Sequence, residues 1–294
     1  PLLSARFTSE RLALADLGPL VGAEPSAARD DGRVLPDVAL NVDRLAAMDA
    51  DVEFHGERVV ATRMPLRDFA LHLQLEDRVL RVSPLRFSSG AGALTVYATV
   101  DGTRVPPHLD SRTEVSALPL APMFAPAAAR LDEPNVASGT IDGDATLRGR
   151  GRSLRDMLAV ADGELRLYSC DGTLSQIVIE LVGLDIAETT GFLLSGDQPV
   201  PIRCMLADFT ARDGVLRPRA LVMDTADTLV TGEGRIALDT EQLDLRLVPE
   251  PKDFSPLSLR TPLSIGGTFA APEFGVEKRG LIARGVAAAA LALA

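Results

Sequence analysis

Most of this chain alternates apolar and polar residues with a period of two. Leu71-His72-Leu73-Gln74-Leu75-Glu76 and Leu94-Thr95-Val96-Tyr97-Ala98-Thr99-Val100 are the clearest runs. The same pattern marks Val38 to Val42, Val52-Glu53-Phe54, Ile141 to Leu147, Leu165-Arg166-Leu167 and Val230 to Leu238. It closes with Leu243-Asp244-Leu245-Arg246-Leu247 and Leu263-Ser264-Ile265. Successive side chains of a strand point to opposite faces, so this alternation builds sheets with one apolar and one wet face. Turn signals separate the runs at Asp101-Gly102, Pro106-Pro107, Asp171-Gly172 and Asp213-Gly214. The links are short, which predicts about a dozen strands, mostly antiparallel.

Helix signals are few. Ser153 reads as an N-cap with Asp156 three residues on, and Leu154, Met157, Leu158 and Ala161 form one stripe that Gly163 ends as a C-cap. Further helical stretches are expected between Gln176 and Leu194 and from Val276 or Gly280 toward Ala294, with a weaker turn at Asp16 to Val21. Pro65-Leu66-Arg67 through Asp77-Arg78-Val79-Leu80-Arg81 resembles Pro201-Ile202-Arg203 through Asp213-Gly214-Val215-Leu216-Arg217, both segments being offset by 136 residues. Such a repeat suggests a sheet extended by stacking hairpins. Pro119, Pro122, Pro126 and Pro134 break regular structure. The expected organisation is therefore a first β part over 1–118, a Pro/Ala-rich connection over 119–138, a second β region with short helices over 139–275, and an Ala-rich helix over 276–294.

Composition narrows function. Hydrophobic residues make up 46% of the 294 positions, enough for a large apolar surface, while aromatics are 4% and Trp is absent. Thirty basic residues against 41 acidic ones leave a net charge of −11. That field repels phosphate backbones, and the scarcity of aromatics removes stacking platforms, so nucleic acid is not an expected partner. The chain starts at Pro1 within an alternating stretch and reads as cut from something longer. No run of eighteen apolar residues occurs, and Gly285 to Ala294 is too short to span a bilayer. Cys170 and Cys204 match no zinc or redox spacing. Buried thiols are the favoured reading over a disulfide, with the pairing left open.

Catalytic patterns are missing from the residues. His55, His72 and His108 are far apart and in no metal spacing, and neither a Gly-x-Ser-x-Gly elbow nor a P-loop occurs. His72 falls on the wet face of its strand. Gly232-Glu233-Gly234-Arg235-Ile236-Ala237 formally fits a dinucleotide pattern, yet it alternates as a strand, so its glycines are read as easing a crowded sheet. Asp142 and Asp144 lack the further carboxylates of a calcium loop. Arg148, Arg150, Arg152 and Arg155 read as a solvated loop and helix start ahead of a lipid-headgroup site. No enzyme activity, metal or cofactor is expected.

A dozen one-faced strands need a cover for their apolar side. Either two sheets close as a dry sandwich, or one sheet curls into a trough that holds a ligand. The expected fold is mainly β: an elongated, curled antiparallel sheet, a β-groove of stacked hairpins with a few short helices. A dozen strands would stack to about 55 Å. The residues expected to line it are Leu71, Leu73 and Leu75, Leu94 and Val96, Leu165 and Leu167, Leu243, Leu245 and Leu247, and Leu263 and Ile265. Their neighbours His72, Gln74, Thr95, Arg166, Asp244 and Arg246 would face water.

The run Gly149-Arg150-Gly151-Arg152-Ser153-Leu154-Arg155-Asp156-Met157-Leu158, then Ala161-Asp162-Gly163-Glu164-Leu165, resembles the C-terminal region of the AsmA family. So do Pro199-Val200-Pro201-Ile202-Arg203-Cys204, Arg212-Asp213-Gly214 and Asp224-Thr225-Ala226-Asp227-Thr228-Leu229-Val230. Leu259-Arg260-Thr261-Pro262-Leu263, Gly267-Thr268-Phe269 and Pro272 complete the match, and Leu12 to Gly22 and Leu66 to Phe87 extend it upstream. The resemblance is strongest from Gly139 to Glu277. It implies a periplasmic body in a Gram-negative envelope, held in the inner membrane by an N-terminal anchor absent from this chain. It also implies kinship with TamB and with bridge-like lipid-transfer proteins, and so a role in conducting phospholipid between inner and outer membranes in support of outer-membrane biogenesis. A periplasmic scaffold or assembly factor acting on outer-membrane proteins, with envelope proteins as partners, is the alternative. The family has no catalytic residues to carry over.

Overall fold

The structure is a computed structural model that describes residues 2–13, 33–35, 49–60, 66–124, 136–175, 199–226, 228–252 and 262–276. Its first strands are β1 (Leu2–Ala13), β2 (Asp49–Val60), β3 (Leu66–Glu76), β4 (Val79–Ser89), β5 (Gly92–Asp101) and β6 (His108–Pro119). A 3-10 turn at Ala121–Phe124 precedes β7 (Ala137–Ser138) and β8 (Thr140–Arg150), and one helix, α1 (Leu154–Ala159), leads into β9 (Asp162–Ser169). Then follow β10 (Thr173–Ser175), β11 (Pro199–Arg212), β12 (Val215–Thr225), β13 (Thr228–Ala237), β14 (Gln242–Pro251), β15 (Leu263–Gly267) and β16 (Pro272–Val276).

These strands form a single open, curled sheet. Its order follows the chain from β1 to β16, with β7 and β10 off the main path. The sandwich alternative is thereby overturned, since there is no second sheet of comparable size among the described residues to face the first. Among the described residues sixteen strands replace the expected dozen, partly because β7 and β10 are too short to show a period. Among the described strands all pairings are antiparallel except β1 with β2, which run parallel. Across the Pro/Ala-rich connection, β6 pairs directly with β8.

The repeated segments fold as the same hairpin. Glu76 pairs with Val79 around Asp77 and Arg78, and Arg212 pairs with Val215 around Asp213 and Gly214. All four turn residues have positive φ, between 47° and 71°, matching the right-handed twist of the flanking strands. Each hairpin also carries a β-bulge at the corresponding place in its second strand, between Val82 and Leu85 and between Pro218 and Ala220. Bulges bend a strand and strengthen its twist, so the two hairpins bend the sheet alike.

Helix α1 starts as expected: the Ser153 hydroxyl accepts from the Asp156 amide at 3.1 Å. It ends sooner than expected. Val160 is its C-cap, and Gly163 belongs to β9. Strand pairing is what requires glycine at 163, because a Cβ there would lie 1.9 Å from the Thr146 carbonyl oxygen. The other expected helices lie outside the described residues, as does the Val38 to Val42 run; Val276 itself closes β16.

Residues 33–35 reach the turn between β13 and β14. The Glu241 carboxylate, 2% exposed, accepts from the Val34 and Leu35 amides at 2.8 and 2.9 Å, and Arg33 donates to the Asp239 carbonyl at 3.0 Å.

Candidate functional site

Residues opposite one another in neighbouring strands share a face. Phe54, Leu71, Leu85, Val96, Thr113, Ala145, Leu165 and Phe209 stand opposite in turn from β2 to β11. A parallel row runs further: Val52, Leu73, Val82, Ala98, Ser111, Leu147, Gly163, Ala211, Leu216, Ile236 and Leu243. Leu245 then faces Ile265, and Leu247 faces Leu263. Every residue read from the sequence as lining the apolar side therefore lies on one face of one sheet. Leu71, Leu73 and Leu263 are buried there. Leu75, Leu94, Val96, Leu165, Leu167, Leu243, Leu245, Leu247 and Ile265 remain only half-buried.

Glycines help keep this face level. Gly232 stands opposite Leu247, and a Cβ on it would come within 2.4 Å of the Leu221 side chain. Gly234, opposite Leu245, has φ +130° and would bring a Cβ to 2.1 Å from the Asp244 carbonyl oxygen. The Gly232-Glu233-Gly234 segment is a strand; Gly232 makes room for the Leu221 and Leu247 side chains, and Gly234 for the backbone of β14.

Two elements fold over the apolar face, one at each end of the central strands. At the end carrying the β3–β4 and β11–β12 turns, Met157 of α1, 1% exposed, packs with Val100 and Leu109, flanked by Leu80, Ala98 and Leu154. The helix backbone can come this close because a Cβ at Gly149 would lie only 2.1 Å from the Met157 carbonyl oxygen. At the opposite end Leu120, Ala137, Ile141, Leu174 and Ile202 cluster beneath β7 and β10, with Leu167, Met205 and Met223 against them. These are two rims of an apolar trough.

Toward β1 the face becomes aromatic. Phe7, Phe54, Phe69 and Phe87 form a chain with ring centroids 6.2, 5.6 and 5.2 Å apart, and Phe69 is 1% exposed. Sequence reasoning did not select these residues for the lining. Each comes from a different strand, and only the inter-strand register brings them together; Phe54 sat in a recognised alternating run and was the available signal.

The opposite face is a lattice of charge. Arg6 pairs with Glu53 at 2.7 Å, Arg148 with Asp110 at 2.8 Å, Arg235 with Asp244 at 3.3 Å and Arg246 with Glu233 at 3.2 Å. Arg219 bridges Asp208 at 2.7 Å and Glu164 at 3.0 Å, which raises its pKa. The hydrogen bond from Arg6 holds the Glu53 carboxyl below its ordinary value. His72 Nε2 lies 2.7 Å from Asp51 Oδ1, on the wet face as expected. Asp142 accepts from the Ala117 amide at 2.9 Å, while Asp144 lies 3.8 Å from Arg166. Of the basic run, Arg148 is a surface ion-pair partner and Arg152 is exposed.

The cysteines correct an expectation: Cys170 and Cys204 are exposed, not buried. Cys170 follows the last residue of β9, and Cys204 lies in β11 where the strand shifts register against β12, so neither thiol points into a packed core.

An open meander with one apolar and one ionic face, rimmed at both strand ends, defines a trough-forming β protein. The chain belongs to the AsmA family, which it matches over residues 1–221. It is also 34% identical to the AsmA family protein YhjG of Escherichia coli (strain K12), in an alignment that takes in 99% of this chain and 44% of that relative. The chain thus spans less than half the length of the curated relative. No solved structure matches it. Proteins of this family are associated with the bacterial envelope.

Proposed function

We propose that the apolar face holds phospholipid acyl chains and that, within a longer periplasmic protein anchored in the inner membrane, it conducts phospholipid between the inner and outer membranes in support of outer-membrane biogenesis. The observation that carries this reading is the continuity of the largely half-buried apolar face from β2 to β15 along the main path. Fourteen strands on that path stack to about 60 Å, and strands of ten to twelve residues make a trough roughly 35 Å across before curling. Such a surface has the chemistry of an acyl-chain track: broad and apolar, its two described rows interrupted only by the hydroxyls of Thr113 and Ser111. Envelope association of the family supports the setting. The ionic outer face keeps the opposite side of the sheet in water.

Native mass spectrometry on protein purified gently from membranes tests the proposal. Phospholipid should co-purify with the chain. Leu245→Asp should keep the strand signal in circular dichroism while losing that lipid, because a carboxylate would meet acyl chains. Lipid-free wild-type protein would overturn lipid conduction and favour the scaffold alternative. Loss of fold in Leu245→Asp would show that protein, not lipid, covers this face.

A further inference from the structure

The register between β9 and β11 continues beyond the last residue of β9. Met205 stands opposite Ser169. On the far side the Ile202 amide donates to the Gly172 carbonyl at 2.9 Å, and Thr173, Leu174 and Ser175 of β10 face Pro201, Val200 and Pro199. Both stretches obey one antiparallel register, and within it Cys170 falls opposite Cys204. The pair is bracketed on each side by fixed contacts. The turn that follows Cys170 is held as well, since the Ser169 hydroxyl donates to the Asp171 carbonyl at 2.9 Å.

We propose that Cys170 and Cys204 are a cross-strand redox pair that closes to a disulfide when the protein meets an oxidising compartment. Opposite residues of antiparallel strands have Cα atoms about 4.5–5.5 Å apart, inside the range of about 4.4–6.8 Å that a disulfide spans. Both thiols are exposed, so an oxidant can reach them. They also sense each other: the Cys204 pKa is raised, first by desolvation and then by the adjacent Cys170 thiol, with Asp224 adding to the effect.

The chemistry is thiol–disulfide exchange with an external disulfide, such as oxidised glutathione or the disulfide of a thiol oxidoreductase. One cysteine thiolate attacks the external disulfide, forming a mixed disulfide and releasing one external thiol. The second cysteine attacks the mixed disulfide, forms the Cys170–Cys204 bond and releases the other thiol. Two protons and two electrons thus leave the pair, and the external disulfide is reduced to two thiols. The bond ties β9 to β11 at the point where β10 and the Leu174–Ile202 cluster fold onto the apolar face. Oxidation would therefore fasten one rim of the trough.

The test equilibrates the whole chain with reduced and oxidised glutathione across the potentials of cytosolic and oxidising compartments, followed by acid quench, maleimide labelling and intact-mass analysis. The expected product is a monomer lighter by two hydrogens with neither cysteine labelled, whose melting temperature falls by several degrees when it is reduced. Cys170→Ser and Cys204→Ser should each lose this product and carry a glutathione adduct or a labelled thiol instead. The double serine variant, unaffected by reductant, controls for folding. Persistent labelling of both thiols at oxidising poise, stable glutathione adducts on both, or disulfides only between chains would each overturn the proposal.

Discussion

Helix α1 rests on a glycine floor, and that floor can be raised by one carbon. Gly149 lies on the apolar face opposite Leu109, and an alanine there would put its Cβ 2.1 Å from the Met157 carbonyl oxygen. Ordinary contact begins at 3.4 Å, so the helix backbone must withdraw by about 1.3 Å, and it cannot bend away as a side chain could. Withdrawal lifts Met157 from Val100 and Leu109 and disturbs Ala161, which is fully buried. Overpacking of this kind costs about 1–3 kcal/mol, which should lower the melting temperature by a few degrees. Gly266→Ala is the matched control, because its Cβ would meet nothing closer than the Leu243 carbonyl oxygen at 3.9 Å. Urea unfolding and thermal melts followed by circular dichroism compare the two. If Gly149→Ala is as stable as Gly266→Ala, the helix does not bear on the sheet as described.

Phe69→Ala should cost about 3–5 kcal/mol in urea unfolding, because it empties the centre of the phenylalanine chain. Arg235→Ala removes an exposed ion pair to Asp244 and should change stability by no more than about 0.5 kcal/mol; a larger loss would mean that the outer face contributes more than its exposure allows. Glu53 and Asp101 are held below their ordinary values of 4.5 and 3.8, Glu53 by its hydrogen bond from Arg6 and Asp101 by those from Thr103. A carboxylate depressed in the folded state contributes stability above its unfolded value and loses it as pH falls through the folded one. The melting temperature should thus be flat near neutrality and fall below about pH 4, with a shallower acid limb in the Glu53→Gln, Asp101→Asn double variant.

Alternation carries face and strand because both follow from side-chain direction along one strand. That is why Leu243, Leu245 and Leu247 could be assigned to a face from five residues alone, and why His72 and Arg166 could be assigned to the other. The repeat was legible for a similar reason: its turn residues and leucines recur at fixed offsets, and the paired bulges show that the likeness reaches the backbone. What depends on pairing between distant segments was not legible. The parallel contact of β1 with β2 leaves no local mark, and neither does the meeting of four phenylalanines from four strands. Cys170 and Cys204 were misjudged because composition makes cysteine a core residue, whereas here it is register that places them on the surface. Gly163 looked like a helix terminator because a glycine demanded by a neighbouring strand reads the same in one dimension.

A meander passes its contacts only from one strand to the next, so by itself it is a line with two loose ends, free to open from either side. The hold of Glu241 on the Val34 and Leu35 amides joins residues more than two hundred positions apart. It pins residues 33–35 to the turn between β13 and β14. A buried carboxylate that accepts from two backbone amides is costly to disturb, so Glu241→Gln should loosen residues 33–35 from that turn while every strand pairing stays in place, read as faster amide exchange at Val34 and Leu35.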